Sequence, residues 1–467
     1  MSNLTFLGAV EGVTGSCYLL ATDSSNILLD CGLFQGKRQE EAANYEPFDF
    51  DLSTIDAVVL SHAHLDHSGR LPLLVAQGLS CPVYMTWPTL DLIEVLLKDA
   101  AALQERDTEW ENKRRRRAGK PEIEPLYLDS DVEEALRFCQ ALNYHQMVNI
   151  TENVQLNYHD AGHILGSAIV ELRIHEAGKE KVLVFSGDLG NSQAALLRDP
   201  EILQQADLVL LESTYGDREH RSMEATLQEF EEVLEEASAN GGNILIPSFA
   251  VGRTQEILFR LGELYQKGKL GHQAVYLDSP MAIAVTEIYH RYQDVYNQED
   301  KAAIRKNSKH QSLHSFLPVL KYSIKSEESM ALNKIESGAI IIAGSGMCNG
   351  GRIRHHLKHN LWRQQSHVIF VGFQAVGTPG RALIDGAQNF KVAGEEIAVR
   401  ARIHTLGGFS AHASQSQLIS WVEGFKGSHP KLYLVHGEEG AKAALQLALK
   451  EKGWHAEIPA LNQVVRF

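Results

Sequence analysis

Short apolar runs separated by glycine and serine turns mark the first two hundred residues. Segments 4–8, 16–20 and 26–30 read as strands, with turns at Gly12, Gly15 and Ser24-Ser25. Ala57-Val58-Val59-Leu60, Val154-Gln155-Leu156, Val182–Phe185 and Leu208–Leu211 also read as strands. Between them, residues 88–150 are polar and helical. Asp91 to Arg106 carries a helical apolar spacing and is followed by the basic run Lys113–Arg117. That run reads as a solvated helix face, with a polyanion contact as the alternative. From about residue 214 the rhythm changes. Strands at 243–247, 274–277, 339–343 and 368–372 are apolar throughout, and the first three lead through turns into helical spacing. Strands without a polar face, alternating with helices, imply a parallel α/β sheet. Strand character returns at 397–403 and 432–435, with a helix through Leu418 and Trp421 between them. The chain reads as leaving its first domain and coming back to it.

Composition changes this picture little. A chain of 467 residues suits two domains, and 44% hydrophobic with 22% charged residues is an ordinary globular profile. No apolar run reaches the length of a membrane-spanning helix, and no secretory signal opens the chain. Five widely spaced cysteines with no C-x-x-C pair read as reduced thiols, so a cytoplasmic protein is expected. A net charge of −15 gives no bulk support for a nucleic-acid partner, so any phosphate-binding surface is expected to be local. Arg253, Arg352 and Arg354, at helix openings, and the glycine-bearing turn with Ser345 and Gly346 are candidates for it. The alternative for the arginines is solvated surface.

The chemistry concentrates in loops that follow strands. Ser61-His62-Ala63-His64-Leu65-Asp66-His67 follows the strand at 57–60 and sets three imidazoles and a carboxylate close together. Nitrogen and carboxylate donors suit Zn²⁺, and also Mn²⁺ or Fe; the missing thiolates argue against a closed structural zinc site. Asp30 ends another strand, placed either to orient a ligating histidine or simply to make a turn. His163 between glycines, Asp188 in a glycine turn, and Glu212 at a strand end repeat the pattern, as do His412 and His436 near the C-terminus.

In order along the chain, Asp30, the His62–His67 run, His163 and Asp188 resemble motifs one to four of the metallo-β-lactamase fold. Glu212, His412 in Phe409-Ser410-Ala411-His412, and His436 in Val435-His436-Gly437-Glu438 resemble motifs A, B and C of its β-CASP branch, which processes nucleic acids. Within that branch the chain is similar to bacterial RNA-processing relatives of the pre-mRNA 3′-end cleavage subunit. One position departs: many relatives carry an aspartate two places after the motif B histidine, where this chain has Ser414.

The resemblance implies an α/β fold, a metallo-β-lactamase αβ/βα sandwich with an inserted parallel-sheet β-CASP domain. The metallo-β-lactamase parts would be residues 1–213 and 393–467, and the insert residues 214–392. It implies two zinc ions, one on His62, His64 and His163 and one on Asp66, His67 and His436, bridged by Asp188. Asp30 would lie behind the ligands, while Asp66, Asp188, Glu212 and His412 would carry catalysis. Two metals suit phosphodiester hydrolysis, because the substrate is already anionic. A histidine held by a carboxylate can protonate the leaving ribose oxygen, and His412 with Glu212 fits that role. The expected function is a zinc-dependent ribonuclease that cuts internally, with 5′–3′ exonuclease activity left open. The expected partner is RNA, with no membrane and with monomer or homodimer undecided. The rivals are a DNA nuclease of the same branch, a thioester or lactam hydrolase, and a non-catalytic subunit.

Overall fold

The structure, a computed structural model, describes residues 2–36, 38–308, 312–375, 377–392 and 394–467. The chain divides into two compact units. One comprises Met1–Ser192, Asp199–Glu219 and His412–Phe467; the other comprises Gln193–Arg198 and His220–Ala411.

The first unit holds two seven-stranded sheets. One runs in the order Val464–Arg466, Asn3–Phe6, Tyr18–Ala21, Asn26–Leu29, Ala57–Val59, Val83–Thr86, Cys139–Leu142. The other runs Ala456–Glu457, Lys431–Val435, Leu208–Glu212, Lys179–Phe185, Ala168–Glu176, Val154–Asp160, Val148–Asn149. Leu4, Phe6, Tyr18 and Leu29 of the first sheet pack against Leu156, Tyr158, Phe185 and Leu210 of the second. The alternate residues of the second sheet, Val184, Val209, Leu211 and Leu434, pack in a separate cluster with Leu418, Trp421, Leu445 and Leu449. Those four lie on helices Gln415–Val422 and Glu439–Glu451. Strands covered on both faces must be apolar at every position, which is why 182–185 and 208–211 carry no alternation.

Helix Trp87–Arg117 is longer than the spacing at 91–106 predicts. Its apolar face is buried from Leu92 to Ala101, and beyond that only Asn112 among its described residues is buried. The Lys113–Arg117 run therefore lies in the part of the helix that leaves the core. Arg114 and Arg116 pair with Glu111 and Glu122, as a solvated helix face would.

The second unit is built on a six-stranded parallel sheet. Its order is Leu320–Tyr322, Ala274–Leu277, Ala339–Ala343, Ile244–Pro247, His367–Phe370, Arg402–Thr405. Ile244, Ile246, Ile340 and Ile342 pack to one face, and Leu245, Ile341, Val368 and Phe370 to the other.

Two details differ from the sequence expectation. The single strand expected at 397–403 is two strands in different sheets. Glu395–Ala398 pairs with Asn389–Val392, whereas Arg402–Thr405 joins His367–Phe370. Between them the backbone turns, with the Arg400 and Ala401 amides both donating to the Leu361 carbonyl at 2.8 and 2.9 Å. The expected return at residue 393 falls on Ala393, outside the described residues. Arg402–Thr405 is an edge strand of the second unit's sheet, and the first compact unit resumes at His412. The first compact unit runs to Glu219 before the chain enters the second, which also takes Gln193–Arg198. The amide of Leu196 donates to Asp300 Oδ2 at 2.6 Å there. An apolar run reports that a strand exists, but not which sheet receives it.

Candidate metal centre

All ten candidates among Asp30, His62, His64, Asp66, His67, His163, Asp188, Glu212, His412 and His436 belong to the first unit. Each follows or ends a strand, or sits in a loop pinned by glycine. Beyond strand Ala57–Val59 the chain enters a short helix, Leu65–Ser68, whose amides at His67 and Ser68 donate to the His64 carbonyl at 3.0 and 2.9 Å. This turn brings His62, His64, Asp66 and His67 round one point. Gly32 lies against it so closely that a Cβ there would sit 1.6 Å from the Asp66 carbonyl oxygen.

The donors gather in two sets. His62, His64, His163 and Asp188 form one, and Asp66, His67 and His436 the other. In the first set, His64 Nδ1 lies 3.1 Å from both His62 Nε2 and His163 Nε2. Asp188 Oδ2 lies 3.5 and 3.6 Å from the same two Nε2 atoms. In the second set, His67 Nε2 is 3.1 Å from His436 Nε2, which is 3.4 Å from Asp66 Oδ2. Asp188 Oδ1 faces this side, 3.3 Å from His67 Nε2 and 3.4 Å from His436 Nδ1. One carboxylate thus turns an oxygen to each set.

These distances test whether a metal fits. Ligands in tetrahedral array at about 2.0–2.1 Å from a zinc-sized ion stand roughly 3.3 Å apart. A ring nitrogen carries either one proton or one lone pair, so His64 Nδ1 can bond only one of its two imidazole neighbours. Asp188 Oδ1 is buried, yet among the described residues no group donates a hydrogen bond to it. Burial and the neighbouring His67 push the His62 imidazole well below its ordinary pKa, toward the neutral form that ligates. Burial opposes ionisation of Asp66, but the contact with His436 and the charge of His67 hold it at about 2. The donor sets therefore suit divalent cations.

Behind the ligands, Asp30 Oδ2 lies 2.7 Å from His67 Nδ1 and so directs His67 Nε2 into the centre. Ser61 holds that carboxylate, its amide and hydroxyl donating to Oδ1 and Oδ2 at 2.7 Å each. The Thr214 hydroxyl sits 3.2 Å from His436 Nδ1, and Ser167 Oγ accepts from the His163 amide at 3.0 Å. None of these hydroxyl residues stood out in the sequence, where isolated serines and threonines carry little signal.

His412 and Glu212 stand beside the donor sets. His412 Nδ1 is 3.3 Å from Glu212 Oε1 and 3.9 Å from Asp188 Oδ2. Glu212 is fully buried and accepts from the amides of Leu189 at 2.7 Å and Thr214 at 3.2 Å. Burial works against a charged His412, yet the Glu212 carboxylate and Asp188 push its pKa up to about 9. Ser414, the departure from the family pattern, donates to Glu219 Oε2 at 2.8 Å.

The candidate phosphate ligands lie in the second unit, and their guanidinium groups are engaged there. Arg253 is buried and paired with Glu256. Arg352 Nη1 donates to Asp278 Oδ1 at 2.7 Å and to the Ser323 carbonyl at 3.1 Å, and its Nη2 donates to the Ile324 carbonyl at 2.7 Å. Arg354 donates to the carbonyls of Asn349 and Lys391. Ser345 Oγ makes a long 3.4 Å bond to the Gly350 carbonyl, and Gly346 packs under the ring of Phe249. A further histidine–carboxylate group, His145, His159 and Glu201, lies on the first unit and escaped the sequence reading, because its members are 14 and 42 residues apart.

Three family models match the chain. Residues 19–214 match a metallo-beta-lactamase superfamily domain, 254–383 a Beta-Casp domain, and 396–459 a Zn-dependent metallo-hydrolase RNA specificity domain. The chain is 41% identical over 460 residues to Ribonuclease TTHA0252 of Thermus thermophilus, covering 98% of each. It is 32% identical over 446 residues to Transcription termination factor FttA of Methanocaldococcus jannaschii, covering 93% of this chain and 67% of that one. A crystal structure of a protein of unknown function from Enterococcus faecalis shares the fold, with a TM-score of 0.54 at 13% identity over 99% of both chains. No helix among the described residues is long and apolar enough to cross a membrane. The full-length match, the domain order and the metal-type donor sets agree, and the chain belongs to the β-CASP branch of the metallo-β-lactamase superfamily as an RNA-acting metallo-hydrolase.

Proposed function

We propose that this protein is a zinc-dependent ribonuclease that hydrolyses phosphodiester bonds within RNA at a two-metal centre. The observation that carries this reading is Asp188, whose two carboxylate oxygens face two separate donor sets. His62, His64 and His163 would hold one ion, Asp66, His67 and His436 the other, and Asp188 would serve both. When bound, such ions lower the pKa of water and offset negative charge on the phosphodiester.

The chain's own groups supply the rest. Asp30, held by Ser61, fixes the face that His67 presents. Glu212, held by two backbone amides, fixes His412 through Nδ1 and leaves the other ring nitrogen for the substrate. Paired with the Glu212 carboxylate, His412 is placed to deliver a proton to the leaving 3′ oxygen. The products are then a 5′-phosphate and a 3′-hydroxyl.

The test is cleavage of matched end-labelled RNA and DNA oligomers by metal-loaded protein, with metal content measured and product ends sequenced. Two metal equivalents and internal RNA cuts bearing 5′-phosphate are expected. Cutting of DNA alone, or one equivalent at full activity, would overturn the reading.

A further inference from the structure

We infer that Phe249 and Phe373, at the C-terminal edge of the parallel sheet in the second unit, form a stacking platform for bases of single-stranded RNA. The inference rests on the ribonuclease reading for its ligand class, but on different residues. Strands Ile244–Pro247 and His367–Phe370 are parallel neighbours, with Ile244 opposite His367 and Leu245 opposite Val368. The loops leaving their C-terminal ends carry Phe249 and Phe373, which remain 43% and 46% exposed. In open parallel sheets the loops at the strand C-termini are where ligands are held.

The Phe249 ring has a built seat. A Cβ on Gly346 would lie 2.7 Å from its ring carbons, and one on Gly372 would lie 3.7 Å away. Only glycine at 346 lets the ring settle onto that backbone, which supports one side of the ring while much of the rest stays open. The Thr254 hydroxyl donates to the Phe249 carbonyl at 2.6 Å and holds the loop from below. Gln374 is buried and ties the Phe373 loop to the turn at Gly346, its Nε2 lying 2.9, 3.0 and 3.3 Å from the carbonyls of Gly346, Phe373 and Gly372. Two aromatic rings on hydrogen-bonded loops, each still partly exposed, suit a flat apolar partner. In an RNA-acting enzyme that partner is a base, whatever its identity, since every base has a stacking face.

The test compares wild type with Phe249→Leu, Phe249→Trp and Phe373→Leu. Each is titrated against a single-stranded RNA carrying 2-aminopurine and against the same strand with abasic positions. Base–aromatic stacking predicts about a 5- to 150-fold weaker affinity for the leucine variants and loss of 2-aminopurine quenching. Tryptophan should restore both, and abasic RNA should bind all four proteins alike. In cleavage, KM should rise with kcat little changed. If leucine binds and quenches as phenylalanine does, or if abasic RNA shows the same loss, the platform is wrong, and a merely apolar surface explains the residues. Base-dependent quenching without any RNA cleavage would uphold the platform and overturn the ribonuclease reading.

Discussion

Replacing His412 by alanine separates proton delivery from metal binding. The substitution removes an imidazole whose Nδ1 is 3.3 Å from Glu212 but leaves both donor sets, His62–His64–His163–Asp188 and Asp66–His67–His436, complete. Glu212 keeps its amide donors from Leu189 and Thr214, so no bare buried carboxylate is created and the fold should hold. General acid catalysis contributes typically 10²–10⁴-fold, about 3–5 kcal/mol of barrier. His412→Ala should therefore retain two metal equivalents by elemental analysis and lose rate within that range. An RNA with a bridging phosphorothiolate at the scissile bond needs no proton on its leaving group, and should recover much of the loss. His436→Ala is the contrast. It deletes a nitrogen 3.1 Å from His67 Nε2 and 3.4 Å from Asp66 Oδ2, so it should lose a metal equivalent and gain nothing from the activated substrate. Asp188, Glu212 and His412 also lie close enough together to hold an ion. A His412→Ala protein that loses a metal equivalent, or whose defect ignores the leaving group, would show that His412 is a ligand and refute the assignment.

Asp30→Asn should weaken metal affinity by about 10- to 100-fold in a competitive chelator titration, because it disturbs the carboxylate that orients His67. Gly32→Ala should expel metal as well as lower the melting temperature, since its Cβ would collide with the Asp66 carbonyl; full occupancy in that variant would disprove the close approach. Asp278 in the second unit is held at about 2, burial opposing its ionisation and the bonds from His356, Ser329 and Arg352 outweighing it. Its folded value is depressed, so its contribution, about 1 kcal/mol after solvent screening, is present above pH ~4 and lost as pH falls through 2. In urea titrations, the stability gap between wild type and Asp278→Asn should narrow over that window, and a gap constant from pH 5 to 2 would disprove the linkage.

The His62–His67 run was legible because its donors lie within six positions on one loop, so local spacing already implies a common point. Asp188, His163 and His436 were legible for a related reason. Asp188 and His436 each follow a run apolar enough to be buried, where a polar residue at the strand end has few places to go, and His163 is set off between glycines beyond the segment 154–160. Residue identity could not reveal which oxygen of Asp188 faces which set, nor that Ser61 holds Asp30 and Thr214 stands against His436. Those facts depend on contacts between residues far apart along the chain, 31 positions for Ser61 and Asp30 and 222 for Thr214 and His436. The arginines show the same limit. Arg352 stands at a helix opening, and the sequence gives no sign that it is bonded to Asp278, 74 residues earlier. The strands at 395–398 and 402–405 separate for a physical reason that no local pattern carries. Strand propensity is a property of the segment, whereas the sheet it enters is chosen by distant partners, here Asn389–Val392 for one and His367–Phe370 for the other.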